Sequence, residues 1–288
     1  MFNFLKFQKL YFAISTIVIG FGLYSIVTWG YHYSIDFVGG SNIEYRSTKP
    51  LKSDLVEKIV KTEKGIINDI SIVDTITIIQ VQPLDEKQEL KIRTSLEAQA
   101  KVKIELLRFE TVGPTLGKET MNKTIIASIL ALMGILIYMS FAFKGLNFAL
   151  AAILAMVHDF LVVIGSYSLL SHYFGAQLDT LFVTAVLTTM SFSVHDTIVI
   201  FDKIREYINT EGRGNIDYYA NRALTETMVR SLNNSMTIVF MLLSLILLGG
   251  SMIKFFVLTL LIGTITGTYS SPFIATSILV WLEKRKNR

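Results

Sequence analysis

The chain contains no cysteine. That excludes a disulfide framework, a thiolate metal site and a cysteine nucleophile, and it fits any redox compartment. Charge is also scarce: 17% of the 288 residues are Asp, Glu, Lys or Arg, against 51% hydrophobic. No H-E-x-x-H run offers paired histidines to a metal, and no G-x-S-x-G turn presents a serine. No glycine-rich loop cradles a phosphate. These absences argue against an enzyme, and neither a metal nor a cofactor is expected. Energy for any work must then come from an ion gradient or an ATPase partner. A cleaved signal peptide is not expected either, because the first apolar run, from Leu10 to Trp29, is too long and no A-x-A-like site follows it.

What the chain does have is long apolar runs, with a mean hydropathy of +0.50. Runs long enough to cross a bilayer need about 20 apolar residues. Six are present: Leu10 to Tyr31, Thr124 to Phe143, Asn147 to Leu170, Leu178 to Phe201, Ser231 to Ile253 and Phe255 to Leu282. The expected fold is therefore an α-helical polytopic membrane protein. Its first 30 residues form a tail and one helix, residues 31–120 a separate domain, and residues 121–288 five further helices with a charged loop at about 202–230. Gly263, Gly267 and Ser271 recur every fourth residue in the last run, a spacing that lets another helix approach closely. Pro272 follows and should kink that helix.

An even number of spans puts both termini on one side of the membrane. On that side fall twelve Lys and Arg: Lys6, Lys9, Lys144, Lys203, Arg205, Arg213, Arg222, Arg230, Lys284, Arg285, Lys286 and Arg288. The short loops opposite carry only Lys254. Positive charge stays inside, so both termini are expected in the cytoplasm and residues 31–120 outside; long domains are exempt from the count. That outer segment alternates as a strand over Asn42–Arg46, is helically periodic over Leu51–Lys64, and is rich in Ile, Val and Thr from Ile70 to Gln82, with Asp74-Thr75 as a turn. A charged helix over Pro83–Ala100 and a strand over Val102–Thr111 complete it. The order β-α-β-β-α-β is that of a ferredoxin-like split unit.

The fourth run reads LDTLFVTAVLTTMSFSVHDTIVIF and carries His195 and Asp196. An aspartate inside a bilayer costs roughly 2.5–3.5 kcal/mol on insertion scales and usually has a task. At helical spacing Thr184, Thr188, Ser191 and His195 share one face, and Thr189, Ser193 and Asp196 the adjoining strip. His158 and Asp159 sit mid-way along the third run, and Arg230 opens the fifth. Desolvation drives a lone carboxylate to take a proton, whereas a nearby arginine keeps it ionised. A carboxylate that exchanges arginine for a proton is a switch. The alternative for each residue is helix packing: Asp159 could tie spans three and four together, and Arg230 could be an ordinary cytoplasmic charge.

Several segments resemble one family. Asp36-Phe37-Val38-Gly39-Gly40 resembles the D-F-x-G-G signature of the SecD/SecF protein-export family, in its SecF branch. Val112-Gly113-Pro114 is similar to its V-G-P element, and the stretch from Ser193 through Asp202 and Arg205 to Glu206 to its fourth-span signature. The resemblance implies an auxiliary subunit that pairs with SecD and works at the SecYEG channel, and with YajC or YidC, in a bacterial cytoplasmic membrane. There it would use the proton-motive force to promote export of polypeptides. It further implies a ferredoxin-like outer domain and a proton relay at Asp196 and Arg230, with the His158-Asp159 pair and His195 beside it. Its partners would include membrane lipids and not nucleic acid. Half of an RND-type exporter of small molecules or lipids is the competing reading, disfavoured by the small, polar outer segment.

The absence of cysteine makes the topology directly testable. A single cysteine placed by Lys87→Cys should react with an impermeant maleimide added to intact cells, whereas one placed by Arg222→Cys or Lys284→Cys should react only after permeabilisation.

Overall fold

The computed structural model describes residues 3–63, 65–143, 145–212 and 214–286, without the side chain of Ser251. Lys64, Lys144, Arg213 and Arg288, used in the sequence analysis, lie outside the described residues. Among the described residues, six helices are long and apolar enough to span a membrane: Phe4–Thr28, Pro114–Ala142, Leu146–Phe174, Thr180–Glu211, Ile216–Leu248 and Lys254–Lys286. The chain divides into two compact units, one made of residues 1–31, 127–176 and 181–288, the other of residues 32–126 and 177–180.

In the helical unit, helix α1 (Gln8–Thr28) lies against α6 (Leu146–Phe174). The contact is made of small and polar residues. A Cβ on Gly22 would lie 2.8 Å from the Gly165 Cα, so the two backbones touch. One turn on, Ser25 and Ser168 share a hydrogen bond of 2.8 Å, and Ser168 also donates to the Gly30 carbonyl. Such close approach is how helices associate when no water drives them together. Helix α7 (Thr180–Glu211) runs on through the charged stretch, and α8 (Ile216–Leu248) begins five residues after it ends. Residues 202–230, expected as a loop, are therefore mostly a helical hairpin. Hydropathy falls there, but Ile204, Tyr207, Tyr219, Ala220, Ala223 and Leu224 keep a buried stripe at helical spacing. Ion pairs from Arg222 to Glu211 (2.6 Å) and Lys203 to Glu226 (3.6 Å) cross the hairpin, and the Arg222 guanidinium lies over the Tyr207 ring. The last span is broken: α9 (Lys254–Ser270) passes through a π turn at Ser271–Ala275 before α10 (Thr276–Lys286). Pro272, with no N–H to give and a ring that crowds the preceding turn, sits in that π turn.

The second unit has a four-stranded antiparallel sheet in the order β3-β4-β2-β5, with β2 at Gly40–Ser47, β3 at Ile67–Val73, β4 at Ile76–Val81 and β5 at Ile104–Val112. Asp74 takes φ 52° in the two-residue turn between β3 and β4, a left-handed conformation that Asp tolerates. Helices α3 (Ser53–Thr62) and α4 (Glu86–Ala100) contribute Val56, Ile59, Ile92 and Leu96 to a core with Ile43 and Ile79. A short helix α2 (Ile35–Val38) and a parallel pair, β1 (His32–Tyr33) with β6 (Gln177–Leu178), complete the unit. Here the two glycine-bearing motifs meet. Gly39 has φ 76°, and a Cβ on it would lie 2.7 Å from the Pro114 Cα at the start of α5 (Pro114–Ala142); one on Gly117 would lie 2.7 Å from the Gly39 nitrogen. Phe37 is buried beside them, Gly40 opens β2 and Gly113 leads into the helix. The Asp36 carboxylate accepts from the Thr180 hydroxyl (3.3 Å) and N–H (3.5 Å).

Inside the sheet unit the Tyr45 hydroxyl donates to buried Glu89 at 3.0 Å, and Arg93 pairs with the same oxygen at 3.3 Å. Burial, then the Glu89 carboxylate, hold the Tyr45 phenol well above its ordinary value of 10.0. A phenol raised on folding stabilises below its unfolded pKa and loses that contribution as pH climbs beyond it. Tyr45→Phe should therefore cost about 1–3 kcal/mol by stripping a partner from a buried carboxylate. Faster amide exchange over β2 and α4 in the full chain would report it, and the gap from wild type should narrow above about pH 10.

Candidate functional site

Two acidic residues lie inside the helical unit, in different settings. Asp159 of α6 is 1% exposed. Its Oδ1 meets His158 Nδ1 at 2.8 Å; its Oδ2 accepts from Ser270 of α9 at 2.6 Å and from Ser193 of α7. His158 Nε2 meets the Ser15 hydroxyl of α1 at 2.8 Å. Two adjacent residues thus join four helices. Close packing makes the reach possible: a Cβ on Gly267 would lie 3.0 Å from Ser193 Cβ, and one on Gly263 would clash with Thr189. The small-residue repeat of the last span therefore faces α7. Below it, the Ser271 hydroxyl donates to the Ser193 carbonyl (3.2 Å) and lies 2.9 Å from Thr197 Oγ1.

Asp196 lies one turn further along α7, about 4.5 Å of helix rise from Ser193. It is 5% exposed and accepts from one neighbour, the Ser231 hydroxyl of α8, at 2.7 Å. His195 and Arg230 are within electrostatic reach. Both are exposed, and no hydrogen bond or ion pair joins either to Asp196 among the described residues. Positions 230 and 231 point about 100° apart on a helix, and it is Ser231 that faces α7. Asp202 and Arg205 pair with each other at 2.7 Å at the exposed end of α7. The structure therefore brings together His158, Asp159 and Ser193, and separately Asp196 and Ser231. Ser15, Ser231 and Ser270 did not stand out in sequence, because a serine in a span is ordinary; their only signal is helical spacing opposite an acid.

The two strips of α7 differ in surroundings. Thr189, Ser193 and Asp196 are buried, while Thr184, Thr188, Ser191 and His195 are exposed along a span. Along that exposed stripe the Thr188 hydroxyl is bonded back to the Thr184 carbonyl at 2.8 Å.

Comparison with known proteins identifies the family of the chain. Residues 91–285 match the family described as protein export membrane protein SecD/SecF, C-terminal. The chain is 37% identical over 303 residues to protein translocase subunit SecF of Thermobaculum terrenum, covering 99% of this chain and 95% of that one. It is 36% identical to the SecF subunit of Anaerolinea thermophila, covering 98% and 94%. The crystal structure of SecDF from Thermus thermophilus, a translocon-associated membrane protein, superposes with a TM-score of 0.85 at 29% identity. That match covers all of this chain but 39% of the SecDF chain.

Ser231→Ala would leave the buried Asp196 carboxylate without its hydroxyl, at a cost of about 1–3 kcal/mol. Gly267→Leu would drive α9 off α7 and should cost more, as an overpacked helix contact. Thermal unfolding of the full chain in mild detergent should rank them in that order.

Proposed function

This chain belongs to the SecD/SecF protein-export family, and from that premise we propose that it is a multi-pass subunit of the bacterial Sec protein translocase that works with SecD. The near full-length match to SecF subunits supports the assignment. Its exposed hydroxyl stripe on α7 supports docking against another membrane chain, and SecD is the partner. We further propose that the termini are cytoplasmic, as the distribution of Lys and Arg argues, and that the sheet unit is a ferredoxin-like domain outside. Its β-α-β-β-α-β order and the strand order β3-β4-β2-β5 support that class. At the SecYEG channel, with YajC or YidC alongside, this unit would act on the emerging polypeptide.

The observation that carries energy coupling is Asp196: a buried carboxylate on a membrane helix with one hydroxyl donor, and an imidazole and a guanidinium nearby. With one donor, the ionised form is under-satisfied and protonation costs little structural change. Each proton that crosses 100 mV releases about 2.3 kcal/mol, which the assembly can convert into motion. His195 and Arg230, exposed in the single chain, would complete the relay against SecD.

Asp196→Asn removes the proton acceptor while keeping size and the Ser231 contact. In proteoliposomes holding the complete translocase, it should abolish acceleration of secretion by an imposed proton gradient and leave ATP-driven secretion intact. Full acceleration in this variant would overturn the coupling role.

A further inference from the structure

Asp159 is more heavily bonded than a packing residue requires. An amide in its place would bridge helices without the several kcal/mol cost of burying a charge. Instead the carboxylate takes two hydroxyls from two other helices and an imidazole that is itself bonded to a third. We propose that Asp159, acting with His158, is a second protonation site that latches α1, α7 and α9 onto α6, with Ser15, Ser193 and Ser270 as its positioning residues. This rests on reading the chain as an ion-driven subunit.

The geometry dictates the steps. An ionised carboxylate has no proton of its own, so the hydrogen between Oδ1 and His158 belongs to Nδ1, and Nε2 accepts from the Ser15 hydroxyl. A proton reaching Nε2 forces Ser15 to turn from donor to acceptor. The Nδ1 proton then passes to Oδ1. One proton has entered, histidine is neutral before and after, and Asp159 has become a carboxylic acid. Its Oδ2 is now a neutral acceptor. Charge-assisted hydrogen bonds are about twice as strong as neutral ones, so the Ser193 and Ser270 bonds weaken together. Helix α9 loosens beside its own weak point, since the π turn starts at the next residue, Ser271. Such turns mark sites where helices rearrange.

Few other titratable groups face the pair. Tyr11 of α1 lies one turn from Ser15, and its carbonyl accepts from Tyr269 of α9, whose ring is 6.5 Å from His158. Asp196 of α7 is one turn beyond Ser193. Glu283 of α10 is bonded to Asn147 at the far end of α6. Asp196 on α7 has one hydroxyl donor and Asp159 on α6 has three partners, so the two acids differ in how fully they are bonded.

The test uses the full chain with SecD in proteoliposomes holding the complete translocase, and reads gradient-driven secretion against pH. Ser193→Ala with Ser270→Ala removes two donors to the ionised form. It should move the pH midpoint upward by about one unit, a tenfold change in proton affinity. Asp159→Asn should abolish the midpoint and the infrared carboxyl band that grows on acidification. Wild-type midpoints in folded samples of the serine double variant and of Asp159→Asn would overturn the latch and leave packing as the role of the cluster. If Asp159→Asn fails to fold, the serine double variant decides alone. Asp196→Asn run alongside separates the two readings. If it loses the gradient response while the serine variant keeps its midpoint, only the latch fails. If it keeps the response, the ion-driven reading falls first.

Discussion

A carboxylate buried among apolar helices must be surrounded by donors, and Asp159 shows what that requires of the rest of the helical unit. The donors come from Ser193 on α7, Ser270 on α9 and His158 beside it, with Ser15 of α1 behind the imidazole. A serine hydroxyl reaches only a short distance, so the helices must nearly touch. Glycine at 263 and 267 permits that against α7, and glycine at 22 and 165 permits it between α1 and α6. The small residues of four helices follow from one charge.

Asp196 obeys the same constraint less fully. One hydroxyl serves it, and His195 and Arg230 near it lie on exposed faces. Asp159 is thus satisfied within the chain, whereas Asp196 has a single hydroxyl donor among the described residues. This asymmetry supports the proposal that coupling runs through Asp196 and not through packing alone.

Much of the architecture was legible from the sequence, because long apolar runs have one explanation in water and another in lipid. Helix ends were less so. Hydropathy reports lipid exposure, not helicity, so α7 continues to Glu211 and α5 starts at Pro114, well outside the apolar runs. In the sheet unit, alternation located β2, richness in Ile, Val and Thr located β3 and β4, and Asp74-Thr75 marked the turn between them. The short pairing of His32–Tyr33 with Gln177–Leu178 left no signal, since two residues carry no period. At the site, acids in apolar runs announced themselves. Their serine partners did not, and the choice of Ser231 over Arg230 depends on angular position around α8, which residue type does not encode.

The π turn in the last span sets which way the side chains after it face. A π turn accommodates one residue more than an α-helical turn, so the helix beyond it is rotated by about 100° relative to an unbroken α-helix. That rotation presents Lys284 to Asp217 at 2.7 Å and Glu283 to Asn147. Loss of any one residue between 271 and 275 would let that turn close as an ordinary α-helical turn, and these side chains would still face their partners. Within α10 the same deletion would swing them round by about 100°, so the π turn is where the last span can absorb a change of length.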